Sequence, residues 1–208
     1  MNDSPQFFYP NLMGRIMLAS LEEVIGRNGI NAVLNLAGRP ELIGNYPPAD
    51  LERGFSFETI SALQAMLEQA YGPRGGRGLA LRAGRVCFKY GMREFGPMMG
   101  LTETAFRLLP LNAKLKTGGQ AFADLFNRLT DQRVRLEDAG PKLLWHIERC
   151  PLCWGRRTGE PSCHMAVGLL QECLYWVSGG KIFNVEETQC VAEGDPVCTI
   201  EIDKTPVA

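Results

Sequence analysis

The chain of 208 residues lacks several features that would place it in a large functional class. No run reaches about 18 apolar residues, the length a membrane-crossing helix requires. Its 22 basic and 23 acidic residues leave a formal charge of −1, which gives no electrostatic footprint for nucleic acid. The opening stretch MNDSPQFFYPNLMGRIML has no basic segment followed by an apolar one. It does not read as a secretory signal, and the expected compartment is the cytoplasm. The glycine-rich segment Gly72–Gly78 has no Gly-Lys-Ser/Thr after it and does not carry the Gly-x-Gly-x-x-Gly spacing, so neither a phosphate loop nor a dinucleotide fingerprint is present. Internal repeats and low-complexity tracts are absent. With 45% hydrophobic residues, the chain is expected to bury one substantial core.

What is present is cysteine, unevenly placed. Six of the seven cysteines fall between Cys150 and Cys198. Disulfides would need an oxidising compartment and fit an odd count poorly. A redox Cys-x-x-Cys pair at Cys150 and Cys153 is expected beside a βαβ pattern, which the chain does not show. Thiolates are soft donors suited to zinc, and a carboxylate can complete a tetrahedron. An iron–sulfur cluster on four of these thiolates is the alternative metal reading. Cys87 and Cys173 each stand in an apolar run (GRVCFKYG, LLQECLYWV) and read as small buried hydrophobes.

Hydrophobic periodicity predicts helices first and strands later. Residues 11–37 read as two helical pieces interrupted at Gly26 and Gly29, with Met13, Ile16, Met17, Leu21, Val24 and Ile25 forming one stripe. That stripe is either core or the face of a homodimer, and residues 12–38 are expected to form a dimerisation arm. Residues 39–54 read as an irregular link. Ser56 is expected to cap a helix running through Leu67 to Tyr71, and Gly72–Gly78 to be a loop or helix break. Further helices are predicted over Leu79–Phe95, Thr102–Leu109 and Ala113–Leu129, the last capped by Asn112. Beyond Asp131 the pattern alternates. A hairpin is expected from Val134–Leu136 and Lys142–Glu148, then a helix over Ser162–Val177, then strands Ile182–Cys190 and Val197–Ile202 around the turn Ala192–Pro196. The fold class is therefore α+β, with N-terminal helices followed by an antiparallel β-β-α-β-β sheet packed on helices.

The segment Glu187-Thr-Gln-Cys190-Val-Ala-Glu-Gly194-Asp195-Pro-Val-Cys198-Thr-Ile-Glu-Ile202, preceded by Cys163-His-Met-Ala-Val-Gly168, resembles the 4-vinyl reductase domain family. That family includes small hydrocarbon-binding proteins and the sensor domains of phenol-responsive activators, and its fold is shared with subunits of the TRAPP tethering complex. The resemblance is strong over about residues 145–203 and looser through Ile16–Gly38. It implies a single domain over 1–208, with the zinc and sheet region in 131–203. It also implies a structural zinc on Cys163, Glu187, Cys190 and Cys198, with Cys150 and Cys153 as further candidates. On a regular strand Glu187 and Cys190 would face opposite sides, so the ligand set requires a bulge or bend between them. The resemblance further implies a small hydrophobic or aromatic ligand, with a tetrapyrrole among the options. Trp145, His146, Phe106, Phe122, Phe126 and Trp176 are the candidate lining; Trp145 and His146 are adjacent on one strand, so only one of them can face inward. Two alternatives stand beside binding: an enzyme or carrier of chlorophyll-type pigment synthesis that reduces a vinyl group, and a protein-assembly module. No site for a hydride donor is recognisable, which favours binding over catalysis.

Overall fold

The computed structural model describes residues 6–99, 106 and 108–207. The chain opens with strand β1 (Phe8–Pro10), which runs into helix α1 (Asn11–Leu36). A short 3-10 turn (Pro40–Leu42) follows, then β2 (Arg53–Ser56) and the long helix α2 (Phe57–Met99). Helix α3 (Leu111–Leu129) leads to the hairpin β3 (Val134–Ala139) and β4 (Lys142–Ile147). Helix α4 (His164–Ser178) precedes β5 (Val185–Gln189), a 3-10 turn over Val191–Glu193, and β6 (Cys198–Asp203). Strands β3 to β6 form one antiparallel sheet in the order β3-β4-β6-β5, and β1 pairs with β2 separately. The β-β-α-β-β order is as the alternation implied, and the small β1–β2 ladder is an addition to it. Its strands are too short to show a period.

Two glycines shape the helices. Gly26 (φ 74°) breaks α1 and Gly72 (φ 73°) breaks α2, both in a region that L side chains rarely adopt. Pro73 then sits at the first position of the resumed helix, where its fixed φ and missing N–H do no harm. Residues 73–78 are therefore helical rather than a loop. Ser56 does cap α2, its Oγ accepting the Thr59 amide at 3.2 Å. Helix α3 starts at Leu111 behind Pro110, without a side-chain cap from Asn112. The helix expected over Thr102–Leu109 falls largely outside the described residues.

The inner face of the sheet carries Leu143, Trp145 and Ile147 from β4, opposite Ile202, Ile200 and Cys198 of β6, all buried. Helices α3 and α4 pack toward this sheet, α2 packs on α4, and α1 packs on α2. The stripe on α1 is consumed by this core: Leu21 is 0% exposed and Met17 6%. The face assigned from sequence to a dimer partner is thus already covered by the chain's own helices, because Met and Leu at helical spacing satisfy core and interface equally well. Replacing Leu21 with alanine is accordingly expected to cost about 3 kcal/mol in chemical denaturation, with no change in oligomeric mass on light scattering.

Candidate metal centre and apolar cavity

Two adjoining features occupy the junction of α4, the sheet and the loop after β4. The first is a buried cluster of thiols. Cys163 immediately precedes helix α4, strand β6 begins at Cys198, Cys190 follows β5, and Cys150 and Cys153 lie on the loop after β4. The sulfurs of Cys150 and Cys163 are 3.4 Å apart, those of Cys153 and Cys198 3.5 Å. Cys163 lies 3.9 Å from both Cys190 and Cys198. No disulfide joins any of them. A tetrahedral ion with metal–sulfur bonds of about 2.3 Å places its sulfurs roughly 3.8 Å apart, so these separations suit thiolates closing on a cation.

Glu187 reaches the same cluster. Its neighbour Thr188 has no partner on β6: Glu187 pairs with Ile200 and Gln189 with Thr199, a register shift of one residue. This is the bulge that the Glu-x-x-Cys spacing requires, and it turns Glu187 and Cys190 to one side. The Glu187 Oε2 accepts the Cys163 amide at 2.7 Å, tying β5 to the first turn of α4. Its Oε1 is buried and without a hydrogen-bond partner. Burial first, and the nearby Cys190 second, push the carboxyl up to about 9. An orphaned carboxylate oxygen facing a set of thiols is costly unless a cation completes it. The donor set therefore fits a soft or borderline divalent metal.

Two groups of four ligand atoms lie within 4.8 Å of one another: Cys150, Cys153, Cys163 and Cys198, and Cys163, Glu187, Cys190 and Cys198. The geometry thus brings all six sequence-predicted ligands together. Asp195 Oδ2 accepts the Cys190 amide at 2.8 Å, which holds the turn between β5 and β6, and Gly194 (φ 114°) supplies its left-handed residue. Cys173 and Cys87 belong to neither group; burial raises them to about 12 and about 11, as expected of inert core thiols.

The second feature is an apolar cavity of about 100 Å³. Its walls come from Met13 and Met17 of α1, Phe88 and Phe95 of α2, Phe122 and Phe126 of α3, Trp145 of β4, and Met165 and Leu169 of α4. Trp145 sits 6.0 Å from Phe122 and 6.4 Å from Phe126 between ring centroids, and Phe122 sits 5.9 Å from Phe88. The polar exception is Tyr9, whose hydroxyl donates to Gln132 Oε1; both line the cavity. Burial holds the Tyr9 phenol well above its ordinary pKa, with Cys150 and Cys87 adding to the shift, so it remains a neutral donor.

Of the aromatic residues proposed from sequence, Trp145, Phe122 and Phe126 line this space, and His146, Phe106 and Trp176 do not. His146 faces the other side of the sheet, its Nδ1 3.1 Å from Thr199 Oγ1. Phe106 stacks on Trp176 (centroids 6.4 Å, planes 16° apart), on a flank of α4 where Trp176 is 38% exposed. Tyr9, Gln132 and the methionines carry no signal that marks them as lining. Tyr9 and Gln132 are separated by 123 residues, and no local pattern joins them.

Cavity and cluster share a wall. Cys150, Pro151 and Leu152 line the cavity while Cys150 is one of the clustered thiols. Met165 and Ala166 stand in the same turn of α4 that begins after Cys163.

An α+β fold of this order, with a thiol-and-carboxylate cluster beside an apolar cavity, defines a class of small-molecule-binding domain. Residues 145–204 match the model of the 4-vinyl reductase domain. The C-terminal segment of the chain thus carries the family signature that its Cys163–Ile202 motif resembles. Comparison with curated protein sequences gives no match. Among solved structures, the chain is similar to one described as "Modulating Heme Redox Potential Through Protein-Induced Porphyrin Distortion" (14% identity, TM-score 0.59, covering 93% of this chain and 97% of that one). It is also similar to an Fe(II) unliganded H-NOX protein from K. algicida (12% identity, TM-score 0.57, 94% and 96% covered). The phenol-responsive sensory domain of the transcription activator PoxR, solved with phenol, aligns at 21% identity and TM-score 0.48, over 83% and 88%. At these identities the H-NOX likeness shows the shared fold. No helix among the described residues is long and apolar enough to cross a membrane.

Proposed function

We propose that the protein binds a small aromatic molecule carrying one polar group, and that zinc on the cysteine cluster fixes one wall of the binding cavity. The observation that carries this reading is the cavity itself: an aromatic ring of Trp145, Phe122, Phe126 and Phe88 around about 100 Å³, with Tyr9 and Gln132 as its polar anchor. Few convergent polar groups in an apolar space are the usual make-up of a small-molecule site. An apolar cavity of about 150 Å³ holds benzene, and Met13, Met17 and Met165 are flexible enough to yield the remaining room. A tetrapyrrole is several times larger and would need the helices to part. Neither His146 nor His164 lines the cavity, so no imidazole is placed to reach an iron there. The cavity therefore favours a single-ring ligand over a porphyrin.

Fluorescence of Trp145 tests this directly, with Trp145→Phe identifying its share of the signal. Phenol and 4-methylphenol are expected to quench it saturably, and a porphyrin to give no saturable change. Tyr9→Phe is expected to weaken phenol about tenfold, the equivalent of one neutral hydrogen bond, while leaving toluene unaffected. Equal loss for phenol and toluene would remove the polar anchor from the reading. Absence of saturation with every single-ring compound would remove the binding function.

A further inference from the structure

The two groups of four ligand atoms overlap in Cys163 and Cys198. A single ion cannot use the whole set. If it takes Cys150, Cys153, Cys163 and Cys198, the buried Glu187 Oε1 keeps no partner and Cys190 stands 3.9 Å from a bound thiolate. If it takes Cys163, Glu187, Cys190 and Cys198, then Cys150 and Cys153 remain 3.4 and 3.5 Å from bound thiolates, as buried thiols against a charged centre.

We propose that the cluster is a binuclear zinc site in which Cys163 and Cys198 bridge two ions, with Cys150 and Cys153 completing one tetrahedron and Glu187 and Cys190 the other. Two tetrahedra sharing an edge need four terminal and two bridging ligands, and the six side chains supply that number. The bridging pair are 3.9 Å apart, close to the roughly 3.8 Å edge of a zinc–thiolate tetrahedron. Glu187 is 8% exposed, and its free oxygen then has a metal rather than nothing. The five thiolates and one carboxylate carry six negative charges, which two Zn²⁺ reduce to two, where one ion would leave four. The Val191 amide, 3.3 Å from Cys198 Sγ, offsets part of the remainder at a bridging sulfur. Loading releases the proton of each thiol and carboxyl that binds in its neutral form. An iron–sulfur cluster suits the set less well, because inorganic sulfide between the irons holds the protein thiolates farther apart than the separations seen here.

This inference rests on the cluster's being a metal site, as proposed above. The test is native mass spectrometry of the full chain, purified anaerobically without chelator and titrated with Zn²⁺. Two zinc ions per chain are expected. One ion at saturating zinc overturns the binuclear site and leaves the metal reading standing; none overturns both. Co²⁺ gives an independent readout. Its paramagnetic resonance should grow up to one equivalent and decline toward the second, because ions sharing two thiolates couple magnetically. A signal that keeps growing past one equivalent means unbridged ions and overturns the proposal. The Cys150→Ser/Cys153→Ser variant is expected to retain one zinc of the two, and retention of both would assign the second ion elsewhere.

Discussion

Replacing Cys163 with serine is expected to unfold the C-terminal region of the protein, and removing the metal with a strong chelator is expected to do the same. Cys163 is 0% exposed, lies in both ligand groups, and its amide holds Glu187. Its loss therefore breaks the junction of α4, β5, β6 and the loop after β4 together. Structural zinc contributes about 10 kcal/mol or more to small folds that depend on it, and a hydroxyl is a far poorer zinc ligand than a thiolate. The cost of Cys163→Ser is thus about 5 kcal/mol or more, comparable with the whole stability of a typical domain. Cys173→Ala is the control, since that thiol is equally buried but belongs to neither ligand group. It should cost about 1 kcal/mol, as for trimming a small hydrophobe. Denaturant titration of both variants, with the metal content of each, checks the expectation. Equal costs would mean that the thiols are core residues and hold no structural ion. Because Met165 and Ala166 follow Cys163 on α4 and line the cavity, chelation should also weaken phenol binding, although no ligand atom touches the metal.

How far these features could be read in advance depends on how specific each signal is. Cysteine and glutamate at the observed spacings carry chemistry that few other roles explain, so the six-residue cluster was legible, and the Glu187–Cys190 spacing alone demanded the bulge found at Thr188. Apolar residues carry no such label. Met13, Met17 and Leu21 fit a core and an interface equally, and their burial here is decided by tertiary packing that a helical period does not encode. Aromatic residues behave alike: Phe122 and Phe126 reach the cavity while Phe106 stacks away from it on Trp176, a difference of helix placement rather than of residue type. The polar anchor is the least visible part, since Tyr9 and Gln132 meet only when β1 is laid beside the start of the sheet region. That meeting rests on backbone contacts such as the Asp131 amide to Phe8 O at 3.1 Å.

Gly84→Val and Gly168→Val are each expected to lower stability by about 4 kcal/mol, through the crossing of α2 and α4. The two glycines face each other's helices. A β-carbon on Gly84 would lie 2.1 Å from the Met165 carbonyl oxygen, and one on Gly168 would lie 2.0 Å from that of Leu81. An ordinary carbon–oxygen contact is about 3.3 Å or more, so the helices would have to part by about an ångström. Overpacking usually costs about 1–3 kcal/mol, when side chains can shift to relieve it. Here the obstacle is main chain, which no rotamer change relieves, and the displaced surface includes Phe88 and Met165 of the cavity wall. At roughly 2–4 °C per kcal/mol for a chain of this size, a fall in melting temperature of about 10 °C is expected. Gly78→Ala provides the contrast: it lies on the same helix with nothing within 4 Å of its would-be β-carbon. That change should be neutral or stabilise by up to about 1 kcal/mol through helix propensity. If calorimetry shows Gly84→Val and Gly78→Ala melting within about a degree of wild type, a small fraction of the shift expected for this chain length, the close crossing is not what joins α2 to α4. If instead Gly84→Val melts early but binds phenol unchanged, the cavity wall is independent of the crossing, and the metal alone sets its shape.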